Sequence, residues 1–381
     1  MSTHDPDTHE RVEWILRPLF TDYRVLEFRG GSIFRGVASP YCIQHRKEVD
    51  EGLGRLPGAY CFESVDGRTM LTYTLPGPDA KPVNRLLHTI LLLATVLTTL
   101  VAGAQWRFDS FLGEVVASVS GARGSTPVAE ILSALATEGG LFSLAILLIL
   151  GTHECGHYFM ARRYGMLVTP PFFLPAPIPP IGTFGAVIRM RSPMLHRRAL
   201  LDIGVAGPFA GFVVALPFLI YGLTQSEFVI VRYWQEGGDL TFGHSLLTWG
   251  LSRLIVGAPP PGYALDWLSH PFAWAGWIGM LVTALNLIPV GQLDGSHVVY
   301  ALFGRWQRLV AYFMIGMLVA LAFQWPGWMV WCVIMVLLMR VTHPPVVFDD
   351  EPLGRRRRLV GWAAFALFVL LFMPIPVGGV F

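Results

Sequence analysis

The sequence predicts an α-helical polytopic membrane protein of about seven spans, with a re-entrant β segment and a small N-terminal α+β cytoplasmic domain. Three observations carry that prediction. Of the 381 residues, 53% are hydrophobic and only 14% charged, where a soluble domain carries about 25% charged residues. Apolar runs recur near 84–104, 138–160, 200–223, 271–290, 308–324, 326–340 and 359–377. The first 80 residues instead hold short mixed segments, YRVLEFRG, GAYCFESVDG and TMLTYTLPG, broken by Gly and Pro.

Taken in order, the start MSTHDPDTHERVEW is polar and acidic, without a basic stretch leading into an apolar core, so no cleaved signal peptide is expected. Asp66-Gly67 reads as a hairpin turn within a domain covering 1–80. PGPDAKP then leads into a membrane core over 81–345, and 346–381 forms a basic linker and an extra helix. A helix needs about 20 apolar residues to cross, so the two runs flanking Trp325-Pro326-Gly327 are the weakest spans. The stretch 242–257 carries His244 and Arg253 and reads as amphipathic or re-entrant. Pro170, Pro171, Pro175, Pro177, Pro179 and Pro180 forbid a regular helix over 170–191. Behind them, Gly182, Thr183, Phe184, Gly185, Ala186, Val187 and Ile188 form a β-prone run that could lie in the bilayer with an open edge receiving substrate; the competing reading is a proline-rich loop.

Arg162, Arg163, Arg189, Arg191, Arg197 and Arg198 follow the second run, whereas only Arg107 and Arg123 precede it. Cytoplasmic loops carry the excess of Lys and Arg. That run should therefore end inside, as Lys81, Arg85, Arg305, Arg308 and Arg355 to Arg358 agree, with the N-terminal domain cytoplasmic, the C-terminus outside and a bacterial inner membrane as the expected location. A net charge of +2 gives no reason to expect nucleic acid. Cys42, Cys61, Cys155 and Cys332 show no paired spacing, so no disulfide framework is expected and Cys155 reads as a small filler.

The chemistry starts at GTHECGH, directly after the uncharged LFSLAILLIL. His153 and His157 are four apart and share a helix face; Glu154 points elsewhere. In an H-E-x-x-H arrangement the histidines hold Zn²⁺ and the glutamate is the general base. Such a pattern also arises by chance, but a chance motif here would bury three ionisable groups in lipid with no return. A catalytic zinc takes three protein ligands, and Asp294 in ALNLIPVGQLDGSHV is the acidic residue in a comparable setting. The bland alternative for it is a residue of an Asp-Gly turn. His88, His270, His297 and His343 read as interfacial histidines, and Asp202 as a helix N-terminal residue.

HECGH, followed later by Asn-Leu-Ile-Pro-Val-Gly-Gln-Leu-Asp-Gly, resembles the site-2 protease family of intramembrane zinc metalloproteases (peptidase family M50), whose signatures are HExxH and NxxPxxxLDG. PFFLPAPIPPIGTFGAVIRM, Gly204-Val205-Ala206-Gly207-Pro208 and HPFAWAGWIGM resemble its EGY-type branch. The resemblance implies that His153, His157 and Asp294 bind one zinc per chain, that Glu154 is the catalytic base and that Asn286 stabilises the oxyanion, although an amide bonding a neighbouring helix is an alternative for Asn286. It also implies proteolysis of transmembrane protein substrates, single-span ones above all, with membrane lipid as surroundings. The rival from another class is a transporter or metal-binding scaffold using the same residues as an ion site, which has no need of Glu154.

Overall fold

The computed structural model describes residues 6–77, 82–108, 111–121, 125–176, 181–230, 241–339, 341–344, 346–349 and 352–378. Lys81, Arg123, Pro177, Pro179 and Pro180, invoked above, lie outside them.

The N-terminal domain opens with helix α1 (Pro6–Leu16) and strands β1 (Phe20–Phe28) and β2 (Gly31–Ala38). Helices α2 (Pro40–Gln44) and α3 (Arg46–Arg55) and strands β3 (Ala59–Val65) and β4 (Arg68–Pro76) complete it. The sheet is antiparallel with order β1-β2-β4-β3. Asp66 and Gly67 both have positive φ (50° and 76°) at the β3–β4 connection, as a two-residue type I′ hairpin demands. Side chains alternate across a strand, and here both faces are used. Phe34, Leu71 and Tyr73 pack with Val12, Leu16, Val49 and Leu53 into the domain's own core. Ile33, on the opposite face, packs instead with Ala161, Tyr164, Met166, Leu195, Ala199 and Ile203 of the membrane part.

That part begins with α4 (Arg85–Ala104), capped by Asn84, whose side chain accepts from the Leu87 N–H. After α5 (Phe111–Val119) and α6 (Val128–Ala134), a π-turn over Leu135–Gly139 runs straight into α7 (Gly140–Arg163). Strands β5 (Phe172–Pro175) and β6 (Thr183–Val187) form an antiparallel hairpin, followed by α8 (Arg197–Thr224) and β7 (Phe228–Ile230). Then come β8 (Thr241–Phe242), α9 (Leu246–Ile255), β9 (Tyr263–Leu265), α10 (Pro271–Asn286) and α11 (Asp294–Phe303). The chain closes with α12 (Gln307–Leu321), α13 (Gly327–Ile334), α14 (Arg355–Leu371) and β10 (Val377–Gly378).

Among the described residues three helical stretches are long and apolar enough to cross a membrane: Arg85–Ala104, Val128–Arg163 and Arg197–Thr224. The other four expected runs are helical but shorter. α10 has 16 residues and ends at Asn286, before Pro289; α12 has 15, α13 has 8 before a π-turn, and α14 has 17. The seven-span expectation thus stands in the structure as three full-length helices and four short ones. The stretch expected to be amphipathic or re-entrant is α9, held at its start by a reciprocal Ser245–Thr248 capping box. Helices α7, α8 and α10 form the centre of the main hydrophobic core, with Ile146, Ile149, Leu201, Leu219, Trp277 and Ile278 buried between them.

Candidate metal centre

His153 and His157 lie in the second half of α7, both buried. The groove they occupy is cut into α8 by glycine. A Cβ on Gly207 would stand 2.0 Å from His157 Nε2, and one on Gly211 would stand 3.1 Å from His153 Nδ1. Gly156 returns the favour on α7, where a Cβ would meet the Ala206 carbonyl oxygen at 2.5 Å. Small residues on both helices let the backbones approach, and the imidazoles fill the space between them.

Asp294 and Asn286 arrive on a tight corner. α10 stops at Asn286 and α11 starts at Asp294. Gly291 takes φ 65° between them, and a Cβ on Gly295 would strike the Leu287 carbonyl oxygen at 1.8 Å. Asp294 is not the helix cap, a position held by Leu293. Its carboxylate turns to the histidines, with Oδ2 3.3 Å from His153 Nε2 and 3.2 Å from His157 Nε2. The two Nε2 atoms are 3.2 Å apart, and Asn286 Nδ2 lies 3.1 Å from His153 Nε2.

The arrangement fits zinc by its donor chemistry. Zinc bonds of about 2.0–2.2 Å at tetrahedral angles place ligand atoms about 3.3 Å apart, the spacing found here. The tautomer fits too. His157 Nδ1 lies 2.7 Å from the Ile203 carbonyl oxygen; donating its N–H there leaves the Nε2 lone pair facing the other two donors. His153, His157 and Asp294 form the one His/Cys/Asp/Glu group of this kind among the described residues.

Glu154 is on the same helix but outside the donor set, and its carboxylate lies near the backbone of Ile188, just past β6. The hairpin therefore ends beside the site. Phe173 of β5 touches α7 at Gly151, 3.4 Å from where a Cβ would be. Thr183, Phe184, Gly185, Ala186 and Val187 form β6 as expected, paired on one side with β5; Phe184 is 70% exposed. Gly182 falls just before the strand with φ 76°, where a Cβ would lie 2.4 Å from the Thr98 carbonyl oxygen; its role is a close turn against α4.

Several supporting groups are not legible in the sequence. Gln307 Nε2 donates to Ser296 Oγ at 2.9 Å, and Ser296 Oγ donates to the Gly291 carbonyl, so the Asp294 corner is pinned from α12. His297 Nδ1 lies 2.8 Å from His343 Nε2, a half-buried pairing that the spacing of the two histidines does not show. Asp202 is held by Arg357 Nε at 2.9 Å and by the Tyr164 hydroxyl, an interaction spanning 155 positions. No local pattern encodes contacts of that separation.

Residues 141–323 match the family model described as Peptidase family M50. The chain is 28% identical over 292 residues to "Probable zinc metalloprotease EGY1, chloroplastic" of Arabidopsis thaliana, covering 75% of this chain and 52% of that protein. It is 30% identical over 249 residues to "Probable zinc metalloprotease EGY2, chloroplastic" of Oryza sativa subsp. indica, covering 64% and 44%. The chain thus spans about half the length of these relatives. They are chloroplastic, so they give no support to a bacterial inner membrane. No solved structure matches.

Proposed function

We propose, from the match of residues 141–323 to the family model described as Peptidase family M50, that the chain is a membrane-embedded zinc endopeptidase acting on transmembrane protein substrates, single-span ones in particular. The convergence of His153, His157 and Asp294 beside a carboxylate that is not a ligand carries this reading. Zinc, when bound, supplies a Lewis acid that polarises a carbonyl and acidifies water.

The chain's own residues do the rest. His153, His157 and Asp294 would hold the ion, with the Ile203 carbonyl oxygen placed to fix the His157 tautomer. Glu154 takes the proton of the attacking water and passes it to the leaving amine. Asn286, with its amide next to the donor set, offers N–H groups to the developing oxyanion. A helical substrate hides its peptide bonds, and the outer edge of β6, ending at the Ile188 backbone next to Glu154, would present an unwound segment as an added strand. The four short helices complete seven crossings, with the basic loop ends and the N-terminal domain on the cytoplasmic side.

The test is cleavage of a model single-span substrate by purified protein in vesicles. Glu154→Gln should keep about one zinc per chain and lose at least about a hundredfold in cleavage. Undiminished cleavage in that variant would overturn the assignment. Metal flux that survives in Glu154→Gln, with no cleavage by the wild type, would favour an ion site.

A further inference from the structure

We propose that the cavity where the N-terminal sheet meets the basic ends of three core helices binds a phosphate group, carried by an anionic phospholipid headgroup. Arg163 ends α7, Arg198 is the second residue of α8 and Arg357 the third of α14. All three line one cavity of about 260 Å³, together with Tyr164 and with Glu63 and Ser64 of β3.

Four features select the ligand. Guanidinium groups present rigid forks of N–H donors that match phosphate oxygens in pairs, and three of them from separate helices line one space, Arg357 with its Nε and Nη2 already turned to Asp202. Helix N-termini carry partial positive charge, and α8 and α14 both open on arginines with no acidic residue in the first turn; Asp349 and Asp202 pair with Arg197 and Arg357, and an external anion adds to them at the same positive ends. The carboxylates nearby are already engaged. Asp202 is held by Arg357 and Tyr164, and Glu63 by buried His196 at 2.9 Å and by Arg35 at 3.8 Å. Arg163, by contrast, is exposed and forms no ion pair among the described residues.

Size and place select the source. The cavity is smaller than the about 300–1,000 Å³ of drug-sized pockets, so it suits a phosphate with a short glycerol attachment. It lies at the ends of two membrane-length helices, α7 and α8, the level at which basic pockets meet lipid headgroups. A headgroup there would bridge the N-terminal domain to α7, the helix that carries His153 and His157. This site stands independently of the proteolytic reading.

The experiment measures lipid binding to the full chain, by native mass spectrometry in a nonionic detergent. Phosphatidylglycerol and phosphatidylcholine of matched acyl chains are compared, with inorganic phosphate as a third probe. Arg163→Gln/Arg198→Gln is set against Arg162→Gln/Arg356→Gln, which removes equal charge from the ends of α7 and α14 outside the cavity. Zinc content checks folding, and Arg163→Gln alone, at an exposed position, serves if the pair does not fold. The expected result is preferential retention of phosphatidylglycerol, weakened at least tenfold in the cavity variants and not in the control. If inorganic phosphate protects against thermal unfolding through these arginines while lipid is not retained, the phosphate site stands and the lipid source falls. Equal loss in both pairs, or no preference for the anionic lipid together with no protection by inorganic phosphate, overturns the site.

Discussion

At Gly207 a single added carbon decides whether His157 can face a metal. A Cβ there would stand 2.0 Å from His157 Nε2, so the imidazole would have to leave the donor triangle. Gly207→Ala should therefore lower zinc affinity by at least about the 10–100-fold that loss of a supporting contact costs, read by metal analysis after dialysis. Gly316→Ala, on an open face of α12, should keep its zinc. Asn286 sits beside the same atoms without being a ligand of the usual type. If its amide serves the oxyanion, Asn286→Ala should keep zinc and cost about 10²–10³ in turnover. Loss of zinc together with activity would instead make it a structural bond to His153. The sequence singles out Asn286, but Gly207 enters it only as part of a resemblance, because the closeness of two helices leaves no trace in the spacing of either.

The β5–β6 hairpin is the element on which substrate handling turns. Ala186 and Val187 are neighbours, so their N–H groups point to opposite edges, one toward β5 and one outward. Proline deletes the N–H at either position. One of Ala186→Pro and Val187→Pro should loosen the hairpin. The other should keep zinc and the fold while losing about ten- to a hundredfold in cleavage, the equivalent of an unpaired buried carbonyl at about 1–3 kcal/mol. Val187→Thr, which keeps the N–H, should cleave normally. Equal cleavage by all three would show that the outer edge receives nothing. The strand itself is legible from its β-prone residues between glycines. Its closeness to α7, with Phe173 against Gly151 and Ile188 near Glu154, is not.

Across the whole molecule, the N-terminal sheet is fastened to the core by Glu63. Burial alone would raise its carboxyl; the hydrogen bond and charge of His196, with the charges of Arg35 and Arg198, outweigh that and hold it below the ordinary carboxylate range. A depressed value in the folded state contributes stability above the unfolded value of about 4.3. That contribution is lost as pH falls from there through the lower folded value. Wild type and Glu63→Gln should accordingly differ most in domain docking at neutral pH and converge on acidification, by thermal unfolding or by protease sensitivity of residues 6–77. A constant gap down to pH 2.5 would mean that shape, not charge, holds the domain.

By itself the sequence determined the membrane class, the N-terminal sheet with its Asp66-Gly67 turn, and two candidate metal donors, His153 and His157, on one face of one helix. These follow from composition and from local periodicity, which a four-residue spacing or a turn pair expresses directly. Seven apolar runs and the weak pair around Trp325-Pro326-Gly327 are legible in the sequence, but an apolar run does not reveal that α10 stops at Asn286, before Pro289. Only the tertiary structure decided that Asp294 reaches His153 across 141 positions, that His157 Nδ1 meets the Ile203 carbonyl and that Gln307 pins the corner carrying Asp294. It also decided that one face of the N-terminal sheet is buried by the membrane core itself. Each of these depends on which surfaces meet, and that is fixed by the packing of helices far apart in the chain, a property no short window of residues contains.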